Sequence, residues 1–188
     1  MLALLGSGAE ASVFLRASRV ALPELQEVRV YSRTEANRDR FAREMTTASL
    51  QVRSVAEAQQ VVEGADIVFV VAAGGQPLFD AGWVRSGALV ASVTWGTVPQ
   101  DLRARRVFPD RFQPEARSTG WEPRPPRRSG EWSGGGSGGE ILLLAEVLRG
   151  APARRNLQET LLYTQFGVFA WDAPLIRWAY EAALKRGA

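Results

Sequence analysis

Short apolar runs alternate with longer amphipathic stretches through the first half of the chain. Leu2-Ala3-Leu4-Leu5 reads as a strand, and Glu10 to Arg19 as a helix. Glu27 to Tyr31 alternates with a period of two, and Glu35 to Met45 is a charged amphipathic helix. Leu50-Gln51-Val52 predicts a short strand, and Val55 to Glu63 a helix stopped by Gly64. Ala65 to Ala72 is a near-continuous apolar run, the pattern of a parallel strand covered on both faces. After turn signals at Gly82-Trp83 and Ser86-Gly87, Ala88 to Val93 repeats it. Asp101 to Arg105 suggests a short helix, and Arg106 to Phe108 an edge strand ended by Pro109. Regular strand–helix alternation predicts an α/β fold, a doubly wound and mainly parallel sheet, over residues 1–116.

The periodicity stops near Arg117. Residues 117–140 are rich in glycine, proline, arginine and serine, and end on Ser133 to Gly139. This composition predicts a flexible loop, although Trp121 and Trp132 lie within it. Residues 141–188 read as a C-terminal helical region that completes or covers the domain. Ile141 to Arg149 forms a helix closed by Gly150 and Pro152. Asn156 or Thr160 caps the last helical part, which runs through Phe169 to Lys185 with a break near Pro174.

The junction of the first strand and helix carries the main chemical signal. Gly6-Ser7-Gly8-Ala9-Glu10-Ala11 is GxGxxA with a strand before it and a helix after it, the fingerprint of a dinucleotide-binding Rossmann fold. Gly6 permits the tight turn, Gly8 lets a pyrophosphate approach the backbone, and Ala11 lets the helix pack close to the strand. The free N–H groups and dipole at the helix start favour the phosphate charge. The end of the second strand speaks to the cofactor. An NAD-selective site places Asp or Glu there for the ribose 2′-OH. This chain has Ser32-Arg33-Thr34 instead. A guanidinium suits a 2′-phosphate, and neighbouring hydroxyls add donors, so the pattern favours NADP(H) over NAD(H). The competing reading makes Arg33 a solvated loop residue in an arginine-rich chain.

Composition narrows the rest. The 188 residues contain no cysteine and no histidine, which excludes disulfides, thiol catalysis and the commonest acid–base and metal-ligating side chain. Lys185 is the only lysine. Proton transfer is left to Asp, Glu and the tyrosines Tyr31, Tyr163 and Tyr180, and no metal-ligating constellation stands out. The net charge of +3 is mild, and its arginines do not interleave with aromatics, so no nucleic-acid partner is expected. No apolar run is long enough to span a membrane, and no charged leader precedes Leu2, so the expected location is the cytoplasm.

Several segments, taken in order, resemble the ornithine cyclodeaminase/mu-crystallin family. They are Gly6–Ala11, Val28–Thr34, Glu63–Val68, Pro77-Leu78-Phe79 followed by Trp83–Ala88, Glu146–Pro152, and Phe166-Gly167 to Asp172 closing on Tyr180. The resemblance implies a Rossmann part joined to an N-terminal substrate and dimerisation part. It also implies NAD(P)-dependent chemistry on amino or imino acids, or cofactor and hormone binding. By position it assigns Gly6, Ser7, Gly8, Ala9, Glu10 and Ala11 to the pyrophosphate. Ser32, Arg33 and Thr34 fall at the 2′-phosphate, Ala72 and Ala73 on the adenosine-ribose side, and Val93 and Thr94 at the nicotinamide, with Phe166-Gly167 closing over it.

The departures are informative. The family's N-terminal substrate part has no counterpart in these residues. Thr94-Trp95-Gly96-Thr97 offers no carboxylate where cyclodeaminases place one, and Thr164-Gln165-Phe166-Gly167 replaces a usual Lys-Ser. Asp172 follows Trp171 where Glu or Gln is usual, and Glu10 stands where Gln is frequent. The expected function is an NADP(H)-binding Rossmann protein acting on amino or imino acids, with Asp172 and Tyr163 as candidate catalytic groups. The alternatives are a non-catalytic cofactor binder, a Rossmann half needing a partner chain, and a degenerate site whose loop binds nothing. The apolar run from Phe166 to Tyr180 suggests a homodimer interface, a partner chain, or packing against the sheet.

Overall fold

The computed structural model describes residues 1–72, 74–94, 96–108, 141–164 and 169–186. Strand β1 (Leu2–Leu5) is buried along its whole length because both of its faces are covered. Leu2 and Leu4 point to one core with Leu15, Val28, Val30 and Phe41. Ala3 and Leu5 point to a second core with Val61, Val62, Val68 and Val90. Helices α1 (Ala9–Ala21) and α2 (Glu35–Met45) supply the first core, and α3 (Ala58–Val62) the second. Each fully buried leucine is worth roughly 1.5–3 kcal/mol of burial.

The other strands are β2 (Glu27–Tyr31), β3 (Gln51–Ser54), β4 (Ile67–Val70), β5 (Leu89–Ser92), β6 (Arg105–Phe108), β7 (Ile141–Leu143) and β8 (Leu161–Thr164). Among the described residues they form one eight-stranded parallel sheet in the order β3-β2-β1-β4-β5-β8-β6-β7. The order reverses between β1 and β4. Open α/β sheets bind ligands in the crevice beyond the strand ends at such a switch point.

The first half matches the elements expected from its pattern, with α3 shorter than the Val55–Glu63 helix. The second half departs from expectation in several places. Residues 101–104 lead into β6 without forming a helix: Leu102 is buried in the second core, and Arg105 is already strand, paired with Leu161. Strand β6 is not an edge strand but lies between β8 and β7. Ile141–Leu143 is strand, not helix, so helix α4 covers only Leu144–Leu148; Glu146 Oε2 accepts from the Leu143 N–H at 2.8 Å, and Gly150 follows at φ +100°. Leu161–Thr164 is an interior strand in place of helix, and Asn156 serves the loop before it, its Oδ1 accepting from the Gln158 N–H at 3.0 Å. A run as short as Leu161-Leu162-Tyr163-Thr164 reads equally well as strand or helix, and pairing with both β5 and β6 decides it.

The last helix, α5 (Phe169–Lys185), runs through Pro174 without the expected break. Proline there removes one ladder bond in the second turn. The 117–140 loop, Trp121, Trp132 and Phe166-Gly167 lie outside the described residues. No helix among the described residues is long and apolar enough to cross a membrane.

Candidate dinucleotide site

The glycine loop sits at the switch point, between the ends of β1, β2 and β4. Gly6 has φ +126°, and its N–H donates to the Tyr31 carbonyl at 2.8 Å. A Cβ on Gly6 would lie 2.9 Å from the Val71 carbonyl oxygen and 3.1 Å from the Ala72 amide nitrogen. Backbone angle and close approach therefore both demand glycine. Gly8, the N-cap of α1, differs. Its φ is −83°, which any residue adopts, and a Cβ there would meet nothing within 4 Å. No steric contact inside the fold demands glycine at this position, and the space that a Cβ would fill is the cradle a pyrophosphate needs. Ala11 is fully buried in the first core, which brings α1 close to the sheet. Ala9 and Glu10 are exposed in the first turn of α1, and the Glu10 charge complements the helix dipole there. The residues present thus fit a dinucleotide.

The end of β2 is tied to this loop. Ser7 Oγ donates to Ser32 Oγ at 2.9 Å, and Ser32 Oγ donates to the Thr34 carbonyl at 3.3 Å. Arg38 Nη1 donates to the Ser32 carbonyl at 3.3 Å, and its Nη2 lies 3.8 Å from Glu35 Oε1. Arg38 is thus spent on shaping the turn. Arg33 is exposed and makes no hydrogen bond or ion pair among the described residues. Thr34 is the N-cap of α2 with no side-chain capping bond. The structure brings Gly6, Ser7, Gly8, Ser32, Arg33, Thr34 and Ala72 to one end of the sheet, and Val93 and Thr94 follow β5 at the same end. Ala73 lies outside the described residues.

Beside this crevice, on the α1 face of β4, β5 and β8, opens an apolar slot of about 270 Å³. Phe14, Phe69, Val71, Ala91, Val93 and Tyr163 line it, with the Phe14 and Phe69 rings 5.9 Å apart. Burial in this lining pushes the Tyr163 phenol above the ordinary tyrosine value, so near neutrality it is a hydroxyl and not a base. Asp172 lies in α5, and its side chain lies outside the described part. Among the described residues no group of three His, Cys, Asp or Glu could hold a metal ion.

Reading the sequence passed over Ser92 and Thr97. Both hydroxyl-bearing residues are buried at the exit of β5, with Gly96, at φ +71°, between them. Their only signal was hydroxyl residues clustered at a strand end, a pattern shared with any turn.

Sheet order, switch point and glycine loop define a dinucleotide-binding Rossmann fold. The sequence matches the ornithine cyclodeaminase/mu-crystallin family over residues 1–187, and the chain belongs to that family. It is 25% identical over 190 residues to the ketimine reductase mu-crystallin of Macropus fuliginosus, covering 97% of this chain and 55% of that protein. Its fold is similar to that of Thermococcus litoralis Delta(1)-pyrroline-2-carboxylate reductase, solved with NADH and L-proline. There the TM-score is 0.79 at 22% identity, covering 100% of this chain and 59% of that one. It is also similar to the iminosuccinate reductase of Paracoccus denitrificans in complex with NAD+, with a TM-score of 0.72 at 17% identity over 99% of this chain and 57% of that one. The chain thus spans little more than half the length of these relatives.

Proposed function

We propose that this chain binds a nicotinamide dinucleotide across the ends of β1, β2, β4 and β5, with NADP(H) preferred over NAD(H). In this reading it is the cofactor-binding part of an oxidoreductase acting on small amino or imino acids. Gly8 carries the reading: at the N-cap of α1, beside the switch point, it keeps open the space that a Cβ would fill, which is where a pyrophosphate fits. The names of the relatives, three of them reductases of C=N compounds or imino acids, support the substrate class. Preference for the 2′-phosphate rests on Ser32, which stands where an NAD-selective site would have a carboxylate, and on the exposed Arg33 next to it. A reduced nicotinamide bound here would supply hydride, leaving the protein to orient the substrate and deliver a proton.

The proton donors we put forward are Tyr163 and Asp172. As a neutral phenol in an apolar slot, Tyr163 suits donation to a substrate nitrogen. The described slot holds no other ionisable side chain, which favours a second reading. In that reading the chain binds cofactor and turns over only with a partner chain or a second copy. We place the contact on α5, where Leu175, Ile176, Trp178 and Tyr180 are each more than 60% exposed. We place the protein in the cytoplasm.

Titration with NADPH and NADH, followed by tryptophan quenching, tests the cofactor reading. Saturable binding with NADPH the tighter ligand is expected, and no binding of either overturns it. Loss of reduced-nicotinamide absorbance on adding cyclic imino acids then separates the two readings, because a binder that needs a partner shows none alone.

A further inference from the structure

The turn after β5 is tied by two buried hydroxyls. Ser92 is 1% exposed and Thr97 is fully buried. Ser92 Oγ donates to the Thr94 carbonyl at 2.9 Å, and Thr97 Oγ1 donates to the same carbonyl at 2.8 Å. The Thr94 N–H donates to Ser92 Oγ at 3.2 Å, and the two hydroxyls lie 3.1 Å apart. Both peptide polar groups of Thr94 are therefore consumed inside the turn. Its own hydroxyl makes no hydrogen bond among the described residues, and the side chain is half-buried.

The same knot reaches the neighbouring loop. The Leu78 N–H donates to the Thr97 carbonyl at 3.1 Å. Gly96, at φ +71°, passes so close to that loop that a Cβ would lie 3.0 Å from the Gly75 carbonyl oxygen. One buried threonine thus couples the exits of β4 and β5, the two strands on the side of the switch point away from Arg33.

We infer that Ser92 and Thr97 are positioning residues for the nicotinamide end of the cofactor. They lock the Thr94 main chain so that the Thr94 hydroxyl, and not its peptide, is what the turn offers the ligand. The inference rests on the dinucleotide reading above. A locked turn spares the ordering cost at binding, so releasing it weakens only the part of the ligand that it touches.

The test compares the intact chain with Thr97→Val, which keeps the volume and loses the hydroxyl, and Thr97→Ser, which restores it. Two ligands are titrated: NADPH, read by its nicotinamide fluorescence, and adenosine 2′,5′-bisphosphate, which lacks the nicotinamide end. The valine variant should bind NADPH about tenfold more weakly, about 1.4 kcal/mol, with altered nicotinamide emission. Its affinity for the bisphosphate should stay within about twofold, and serine should recover NADPH binding. Unchanged NADPH binding by the valine variant overturns the inference alone. So does an equal loss of both ligands, which is the mark of general damage. Failure of the unaltered chain to bind either ligand overturns the cofactor reading and this inference with it.

Discussion

The two halves of the crevice are built from opposite materials. On the β1–β3 side, α1 and α2 seal the sheet with Leu2, Leu4, Val28, Val30 and Phe41, and the surface beyond the strand ends carries an exposed arginine. On the β4–β5–β8 side the same sheet face opens into a slot of about 270 Å³ lined by rings and methyl groups, with its polar groups held in a hydroxyl knot. The first half is finished before any ligand arrives and offers charge. The second offers shape, apolar surface and a phenol kept neutral. Affinity is expected to reside in the first and orientation of the reacting ring in the second.

Substitutions can break or sharpen that contrast. Gly6→Val should do the most damage: the side chain meets backbone at 2.9 Å in a conformation closed to it. A destabilisation of about 1–3 kcal/mol or more, read by urea melts, should accompany loss of cofactor binding. Gly8→Val separates fold from ligand. With nothing within 4 Å of the new Cβ, only the N-cap preference is lost and the melt should move by about 1 kcal/mol at most, while affinity for either nucleotide falls by about a hundredfold. A parallel loss of stability would mean that Gly8 serves the fold and not a ligand.

Arg33→Ala should erase the preference for NADPH, costing it about tenfold while leaving NADH within about twofold. Equal loss of both would point to Arg33 as a general anchor. Tyr163→Phe should leave both affinities nearly unchanged. In an alkaline absorbance titration it should remove the phenolate that appears above the ordinary tyrosine range. Because the raised phenol disfavours ionisation in the folded state, its effect on stability is absent at neutral pH and becomes a loss as pH rises past the ordinary tyrosine value.

Glu159 marks the smallest effect. Its carboxyl accepts from Arg155 and is held below the usual carboxylate value chiefly by that bond. The stabilisation is present above the ordinary glutamate value and is lost as pH falls through the depressed one. With Arg155 largely exposed, Glu159→Gln should cost less than about 1 kcal/mol at neutral pH and flatten the acid limb of the stability curve.

Legibility in the sequence follows the same division. The strand of Leu2–Leu5, the glycine loop and the Ser32-Arg33-Thr34 exit stand out because buried parallel strands and phosphate loops need distinctive residues at set spacings. Leu161–Thr164 does not stand out: four residues after an irregular loop carry no period, and only pairing with β5 and β6 makes them a strand. Arg105 and Arg106 look like surface charge in the sequence. The structure instead buries Arg105, whose Nη1 donates to the Pro152 and Ala153 carbonyls at 2.8 and 3.2 Å. Ser92 and Thr97 are legible only once the turn closes, because their role lies in which carbonyl they share.

Strand β8 lies between β5 and β6, both of which precede it in the chain. Ser92 waits for Thr164, and Val107 for Tyr163. As the polypeptide leaves the ribosome, β5 and β6 emerge with open edges facing each other across a missing strand. The sheet gains its final continuity only when residues 161–164 have been made. Parallel pairings between residues so far apart in sequence form slowly, and unpaired edges invite intermolecular pairing in the interval. A nascent chain stalled before Leu161 would thus present a split sheet, with the edges of β5 and β6 open to other chains.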